Sequence, residues 1–401
     1  MAMKRLEYLM TLNQYTFEPF IQDESSFKAL LHLKLPHNKI ETFRHFDVED
    51  ILSEEYELSI THEVSSQTKK HFTKGFYSLL IKNGQILSNQ TDLPPYITLE
   101  KRAKKSFKTN NAFAYLSELF FKETTVLKID KSPDKPLMIM NINTKNNHFI
   151  PTSLTIEVSK NSTLDMVDVY DFKEQTNSFA NVNRFFDVKF GAHINYTKLQ
   201  QLSKSSSLIV NTFAHLATKS TLDTINLDYG GYKTLNIADI VLTKKNSSIH
   251  LNGLIKNKGH AKNGNMASIE HLAEFTSSNQ AFKHVLDEHA QAVCDIKSII
   301  QSNAPFSKAF QNSHTILLSD DAKINAQPRL QIYTDELQAS HGATTGALDE
   351  EQLNYLQLRG ISKQEATNIL LTAFEETILN KITHPTIRAF VDVYQKGVHH
   401  V

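Results

Sequence analysis

His341 stands in a run of small residues, Ser340-His-Gly-Ala-Thr-Thr-Gly346, after an alternating stretch that begins at Leu330. An imidazole can bind a transition metal through one nitrogen while a neighbour fixes the other, and Gly342 with Ala343 leaves space for approach. Read by itself, a lone histidine in a loop of small residues is first a structural or merely exposed side chain, and one imidazole cannot hold a metal cluster, so such chemistry needs a further donor. The single cysteine, Cys294, excludes an intrachain disulfide and any all-cysteine metal cage made by this chain alone. It lies in Gln291-Ala-Val-Cys-Asp-Ile-Lys297, an alternating pattern in which a free cysteine reads first as a small buried hydrophobe. Neither His284 with His289 nor His399 with His400 has the His-Glu-x-x-His spacing, and none of them is assigned a ligand role. Asp320-Asp321 resembles a catalytic acid pair, yet adjacent acids in a repeat turn more simply cap backbone amides. The basic run Lys101 to Lys108 contains one aromatic, Phe107, too little for a stacking platform on nucleic acid, and reads as a solvated face. The chain has no Gly-x-x-x-x-Gly-Lys-Ser/Thr loop, so nucleotide hydrolysis is not assigned to it.

These residues need elements to position them. From about Val126 to Leu337, short alternating segments are separated by Asn, Ser, Lys and Gly. A weak repeat runs through them: Asn161-Ser-Thr-Leu-Asp165, Gly191-Ala-His-Ile-Asn195, Lys219-Ser-Thr-Leu-Asp223 and Asn246-Ser-Ser-Ile-His250, with a late copy at Asp321-Ala-Lys-Ile-Asn325. Its apolar members, Leu164, Ile194, Leu222 and Ile249, recur about every 27 to 30 residues, a period that points to stacked coils. A parallel β-helix suits this pattern because each coil buries its inward residues against its neighbours. A large sandwich, whose strands also alternate, is the competing architecture.

Upstream, helical spacing at Phe27, Leu30 and Leu31 is followed by a hairpin signal at Tyr77-Ser-Leu-Leu-Ile-Lys-Asn83-Gly84-Gln-Ile-Leu87. A helix is expected over Asn111 to Phe121, with Phe113, Leu116, Leu119 and Phe120 on one face. Downstream the period becomes helical, with caps at Asp349-Glu-Glu-Gln352 and Ser362-Lys-Gln-Glu365. The second of these helices should bury Ala366, Ile369, Leu370, Ala373, Phe374 and Ile378, and a last helix from near Pro385 should bury Ile387, Phe390, Val391 and Tyr394. The chain thus divides into a mostly helical region over 1–122 with a hairpin near 77–87, a solenoid core over 123–345 and a helical domain over 346–401.

With 401 residues, 40% hydrophobic and 21% charged, the chain can bury one large core or several smaller ones. Its 43 basic and 43 acidic residues balance, so no overall field favours nucleic acid or an anionic membrane. The lack of an apolar run of about 18 residues or a cleavable leader argues for a cytoplasmic location. The Asn-x-Ser/Thr triplets at Asn89, Asn161, Asn195 and Asn246 then read as turn and strand chemistry rather than glycan sites.

Leu330 to Gly346, continuing into Leu348-Asp-Glu-Glu-Gln-Leu-Asn-Tyr355-Leu-Gln-Leu-Arg359-Gly360-Ile361, closely resembles the C-terminal signature of the SufB/SufD family, which scaffolds iron-sulfur cluster assembly. Leu35-Pro36 with Lys39 and Glu41-Thr-Phe43, then Thr276-Ser-Ser-Asn-Gln280, Phe282-Lys283, Asn312 and Leu317-Leu-Ser-Asp-Asp-Ala322, resemble further family segments in order. The shortness of the chain, its lone cysteine and the glycine after His341 look more like the SufD branch than the SufB branch.

The resemblance implies a right-handed parallel β-helix with helical regions at both ends, acting as a non-catalytic scaffold. It implies pairing with SufB through the β-helix and docking of a SufC ATPase on the C-terminal helices, with Tyr355, Arg359, Ile361 and Phe374 as candidate contacts. It further implies that His341 offers a ligand to iron or a nascent cluster shared with SufB. SufD-like chains often carry a cysteine two residues before this histidine; Ala339 stands there, which leaves at most half a site. The resemblance implies no tightly bound cofactor, and it leaves open a flavin in the complex and a homodimer in isolation. The rival function, a β-helix enzyme acting on carbohydrate, has little behind it: the chain contains no tryptophan and no convergent acid cluster.

Overall fold

The turn at the head of each repeat sets the architecture. In the computed structural model, which describes residues 2–12, 20–59, 74–87, 91–104, 107–172 and 177–398, every copy begins on a left-handed residue: Asn161 (φ 56°), Gly191 (64°), Lys219 (60°) and Asn246 (59°). That conformation reverses the chain within one residue, which Asn and Gly tolerate best. The following side chain, Ser162, Ala192, Ser220 or Ser247, tucks under the turn and is buried. Two residues on, Leu164, Ile194, Leu222 and Ile249 are fully buried and stand in register, one per coil. Main-chain bonds tie successive turns together, as from the Asn161 amide to Phe190 O (2.9 Å) and from the Gly191 amide to Thr218 O (3.2 Å).

The same turn recurs at Phe275 (φ 59°) and Phe306 (58°), where Ser278 and Ala309 take the inward position. Those small residues concealed two coils from a pattern built on Leu and Ile. The late copy at Asp321 is a correction: its Ile324 aligns with Ala292 on the opposite sheet, so it is not a member of the series.

Two sheets result, each built of parallel strands from successive coils. One holds His148–Val158, Phe179–Val188, Ser207–Leu216, Lys233–Leu242, Lys262–His271, Gln291–Ile300 and Lys323–Ile332. The other holds Thr163–Phe172, His193–Leu202, Thr221–Gly230, Ser248–Asn257, Ser277–Leu286, Ser307–Leu317 and Leu337–Gly346. This is a parallel β-solenoid of about seven turns with helices at both ends, and the sandwich is set aside. The interior also carries buried charge, which survives only when paired. Arg184 Nε donates to Asp168 at 2.8 Å, and Tyr170 and Tyr196 donate their hydroxyls to the same carboxylate at 2.9 and 3.0 Å. Lys198 pairs with Asp228.

Three short helices, α1 (Glu24–Leu33), α2 (Glu49–Ser53) and α3 (Ala112–Glu118), cover the outer face of the first sheet. Phe27, Phe113 and Leu116 share a core with Phe149, Phe179 and Leu235 there. The expected face of Phe113, Leu116, Leu119 and Phe120 is buried in full. The description of 1–122 as mostly helical needs correction, because strands in this stretch extend both sheets. Glu55–Leu58 runs parallel to His148–Val158, and Tyr77–Lys82 runs parallel to Leu137–Ile142 before turning at Asn83 (φ 50°) and Gly84 (82°) into the expected hairpin. An apolar run beside an open sheet edge satisfies its backbone there instead of forming a separate unit.

The C-terminal helices are α4 (Glu350–Leu358), α5 (Lys363–Leu379) and α6 (Pro385–Val398). Ser362 caps α5 by accepting from the Glu365 amide at 3.2 Å, and the Glu365 carboxylate receives the serine hydroxyl at 3.1 Å. Ile378, Leu379, Ile387 and Val391 pack on Val167, Leu199, Leu227 and Leu254 of the second sheet. The stripe expected on α5 is partly corrected: Ile369 is 47% exposed and Ala373 is exposed, whereas Leu371 and Glu375 are buried. Glu375 is drawn inward by Lys256, 2.8 Å away across the interface. No helix among the described residues is long and apolar enough to cross a membrane.

Candidate partner and ligand site at the last coil

His341 lies in an edge strand, not in a loop. Leu337–Gly346 is the outermost strand of the second sheet and Lys323–Ile332 that of the first. Alternation puts Leu337, Ala339 and His341 on one face. Leu337 and Ala339 pack on the cluster of Ile300, Ala304 and Ala309, and His341 aligns with Gln311, which aligns with Gln280 one coil deeper. His341 Nδ1 is 3.0 Å from the Pro328 carbonyl oxygen.

This last coil is the least covered part of the solenoid. No residue of either terminal strand is buried, whereas the preceding Ser307–Leu317 still alternates buried with exposed. Unpaired edge backbone on exposed strands is a template for another chain. The small residues beside His341 answer to nothing inside this molecule: a Cβ on Gly342 would meet only Asn312 Oδ1 at 3.8 Å, and one on Gly346 would meet nothing within 4 Å. Ala339 contributes a methyl to an apolar cluster where a thiol would have been a donor.

Cys294 is fully buried, aligned with Asn265 and Ala326, and burial pushes its thiol up to about 12. It is a core residue, as its alternating context indicated. Among the described residues, no group of three or more His, Cys, Asp or Glu could hold a metal ion. His341 therefore fits a ligand role only as one donor of a shared site.

The other expected chemistry is dispersed. His284 is buried inside the solenoid, whereas His289 sits 3.4 Å from Asp321 and stacks on His260 with ring centres 4.8 Å apart. Asp320 and Asp321 are exposed turn residues. Within the basic run Arg102 pairs with Glu100 and Glu157, and Lys104 with Asp23 and Glu118. Asn161 and Asn246 are turn residues and Asn195 Nδ2 donates to Asp165 in a strand, while Asn89, His399 and His400 lie outside the described residues. A cluster that the spacing did not reveal joins three coils on the outer face of the second sheet. His193 Nε2 contacts Asp223 at 2.6 Å and His250 contacts its other oxygen. Both imidazoles hold Asp223 well below the usual carboxylate range despite its partial burial. Their nitrogens face the carboxylate, not a common empty point.

The candidate docking residues divide in two. Asp349 caps α4 by accepting from the Glu351 and Gln352 amides, and no residue of α4 is buried. Tyr355 is 57% exposed, with the Arg359 guanidinium over its ring at 5.2 Å and donating to its hydroxyl at 3.1 Å. Leu358, one residue before Arg359, is 88% exposed and was missed; it lies three residues from Tyr355, on the same helix face. Ile361 is half-buried. Phe374 faces the solenoid: Lys283 Nζ lies 3.9 Å from its ring centre and donates to its carbonyl at 2.8 Å.

Residues 140–374 match the family described as SUF system FeS cluster assembly, SufBD core domain. The chain belongs to this family. It is 22% identical over 370 residues to the iron-sulfur cluster assembly protein SufD of Escherichia coli, covering 88% of this chain and 86% of that protein. An iron-sulfur cluster assembly SufBD family protein of Synechocystis is 24% identical over 383 residues, covering 87% and 84%. The SufD of Plasmodium falciparum is 28% identical over 242 residues, 52% of this chain and 16% of that protein. The SufBD match runs from within the strand Leu137–Ile142 through α4 and most of α5, so it includes both His341 and the exposed helix face.

Proposed function

We propose that this chain is a SufD-type scaffold subunit, without catalytic activity of its own, that works in iron-sulfur cluster assembly beside a SufB-type solenoid and a SufC-type ATPase. The observation that carries this reading is the uncovered last coil bearing His341. Pairing through the edges of Lys323–Ile332 and Leu337–Gly346 would satisfy their open backbone and bring a partner's thiolate to the imidazole. Iron or the nascent cluster is then cargo, held jointly, because His341 is a single donor. A second copy of the chain would use the same edge when the partner is absent. Tyr355 and Leu358 on α4 and Arg359 at its C-terminal cap, with Ile361 beside them, form the ATPase dock; Phe374 supports it by fixing α5 to Lys283. Closure of the ATPase pair would pull on these helices and so strain the paired edge.

The test is co-expression with the SufB-type and SufC-type partners. Ala343→Arg should abolish recovery of the SufB-type partner, and His341→Ala should leave the complex intact while reducing the cluster absorbance that it accumulates. Recovery undiminished by Ala343→Arg refutes the pairing edge, and cluster formation equal to wild type in His341→Ala refutes the ligand role.

A further inference from the structure

The contact between His341 and Pro328 determines which imidazole nitrogen can act as a ligand. A main-chain carbonyl can only accept, so at 3.0 Å from Pro328 O the Nδ1 atom must carry the hydrogen. The neutral ring then keeps its lone pair on Nε2. We propose that Pro328 is a positioning residue: its carbonyl holds His341 as the Nδ1–H tautomer and thereby makes Nε2 the atom offered to iron or the nascent cluster. This rests on the reading of His341 as a ligand.

Three features of the fold present that carbonyl. Pro328 lies in the outermost strand of its sheet, where a proline is admitted because its missing N–H faces the open side. The carbonyl of a strand residue points to the same side as its nitrogen, so Pro328 O is turned away from the ladder and toward the uncovered edge. The proline ring also fixes φ, which limits how far the following peptide can swing. The residue after it is anchored twice: Arg329 Nη2 donates to both Asp295 oxygens, at 2.6 and 2.8 Å, and the buried Gln311 Nε2 donates to Arg329 O at 3.2 Å. Gln311 is the residue directly beneath His341 in the ladder. The donor histidine and the carbonyl that orients it therefore come from opposite sheets, clamped through one buried glutamine.

The test uses the full isolated chain, labelled with ¹⁵N at histidine, in mildly alkaline solution where an ordinary imidazole is neutral. His341→Ala identifies the resonances of the residue in two-bond proton–nitrogen spectra. Free neutral imidazole side chains favour hydrogen on Nε2. His341 is expected to show the reverse, with the unprotonated, downfield nitrogen at Nε2. In Pro328→Gly, with the remaining histidine resonances unmoved as evidence of folding, the two tautomers should mix. An Nε2–H tautomer in the wild type overturns the inference whatever His341 does in the complex. An unmixed Nδ1–H form in Pro328→Gly overturns the role of the proline. A fixed Nδ1–H tautomer together with full cluster formation by His341→Ala instead overturns the ligand reading on which the inference stands.

Discussion

Lowering the pH should destabilise the solenoid through two histidines held neutral in its interior, and the loss can be worked out residue by residue. His271 Nδ1 lies 2.8 Å from Thr276 Oγ1 and its Nε2 lies 2.9 Å from Ser278 Oγ. The Thr276 hydroxyl already donates to Ala273 O at 2.9 Å, so it accepts from Nδ1–H, and Nε2 accepts from Ser278. This neutral ring is satisfied, and a second proton would leave Ser278 facing a donor. His284 Nδ1 lies 3.3 Å from Thr315 Oγ1, and its Nε2 is buried without a hydrogen-bond partner. Burial pulls both histidines down to about 4 from an ordinary 6.5. A histidine depressed in the folded state contributes stability above its unfolded value that is lost as pH falls, because the unfolded chain takes the proton first. Between about pH 7.5 and 5 each should forfeit about 2 kcal/mol of unfolding free energy, given about 1.36 kcal/mol per pH unit. His193 acts in the opposite sense: Asp223 raises its value, so its contribution is present at low pH and fades as pH rises through that raised value. The measurement must therefore compare variants. Urea unfolding of wild type and His284→Leu at both pH values should show a drop smaller by about 2 kcal/mol in the variant, because leucine removes the titrating group and its orphan nitrogen. Equal drops in the two proteins would refute the assignment of His284 as a buried neutral histidine.

Leu222→Ala opens a hole in the column joining Ile194 to Ile249 and should cost about 2–5 kcal/mol in urea unfolding; a loss below about 1 kcal/mol would mean that the coils collapse around it. Asp168→Asn leaves the buried Arg184 without its charge partner and should cost about 3–5 kcal/mol, so a variant as stable as wild type would show that water reaches that pair. Leu358→Asp should abolish co-purification of the SufC-type ATPase while shifting unfolding by less than about 0.5 kcal/mol, because the side chain touches solvent; retained binding places the dock elsewhere. Cys294 should be inert to thiol reagents in the native state and react once urea unfolds the core, and native labelling as fast as denatured labelling would refute its burial.

The solenoid was legible because its period is carried by local chemistry. Asn, Gly and Lys at the left-handed turn, a small residue beneath them and an apolar residue two further on are encoded within four positions, and they repeat. The coils at Phe275 and Phe306 escaped the pattern since Ser278 and Ala309 fill the inward position, where Ser278 meets the His271 ring and Ala309 packs on Ile300 of the facing sheet. Ile369 and Phe374 have the same helical spacing as Ala366 and Ile378, yet one is exposed and the other half-buried under Lys283. Periodicity marks a face, and the neighbouring surface decides how much of it is covered.

The sequence by itself settled what depends on a few neighbouring residues: the coil period, the turns, the caps of α4 and α5, the lack of a nucleotide loop and the presence of one inward cysteine. The tertiary structure decided what depends on which coils meet. Asp168 finds Arg184 16 positions away, Lys283 finds Phe374 91 positions away, and His341 finds the Pro328 carbonyl 13 positions back on the other sheet. Such pairings are set by stacking register, which links residues through space with no trace in their local spacing. The uncovered edge at the last coil belongs to this second class, because exposure is a property of what is not packed above a strand.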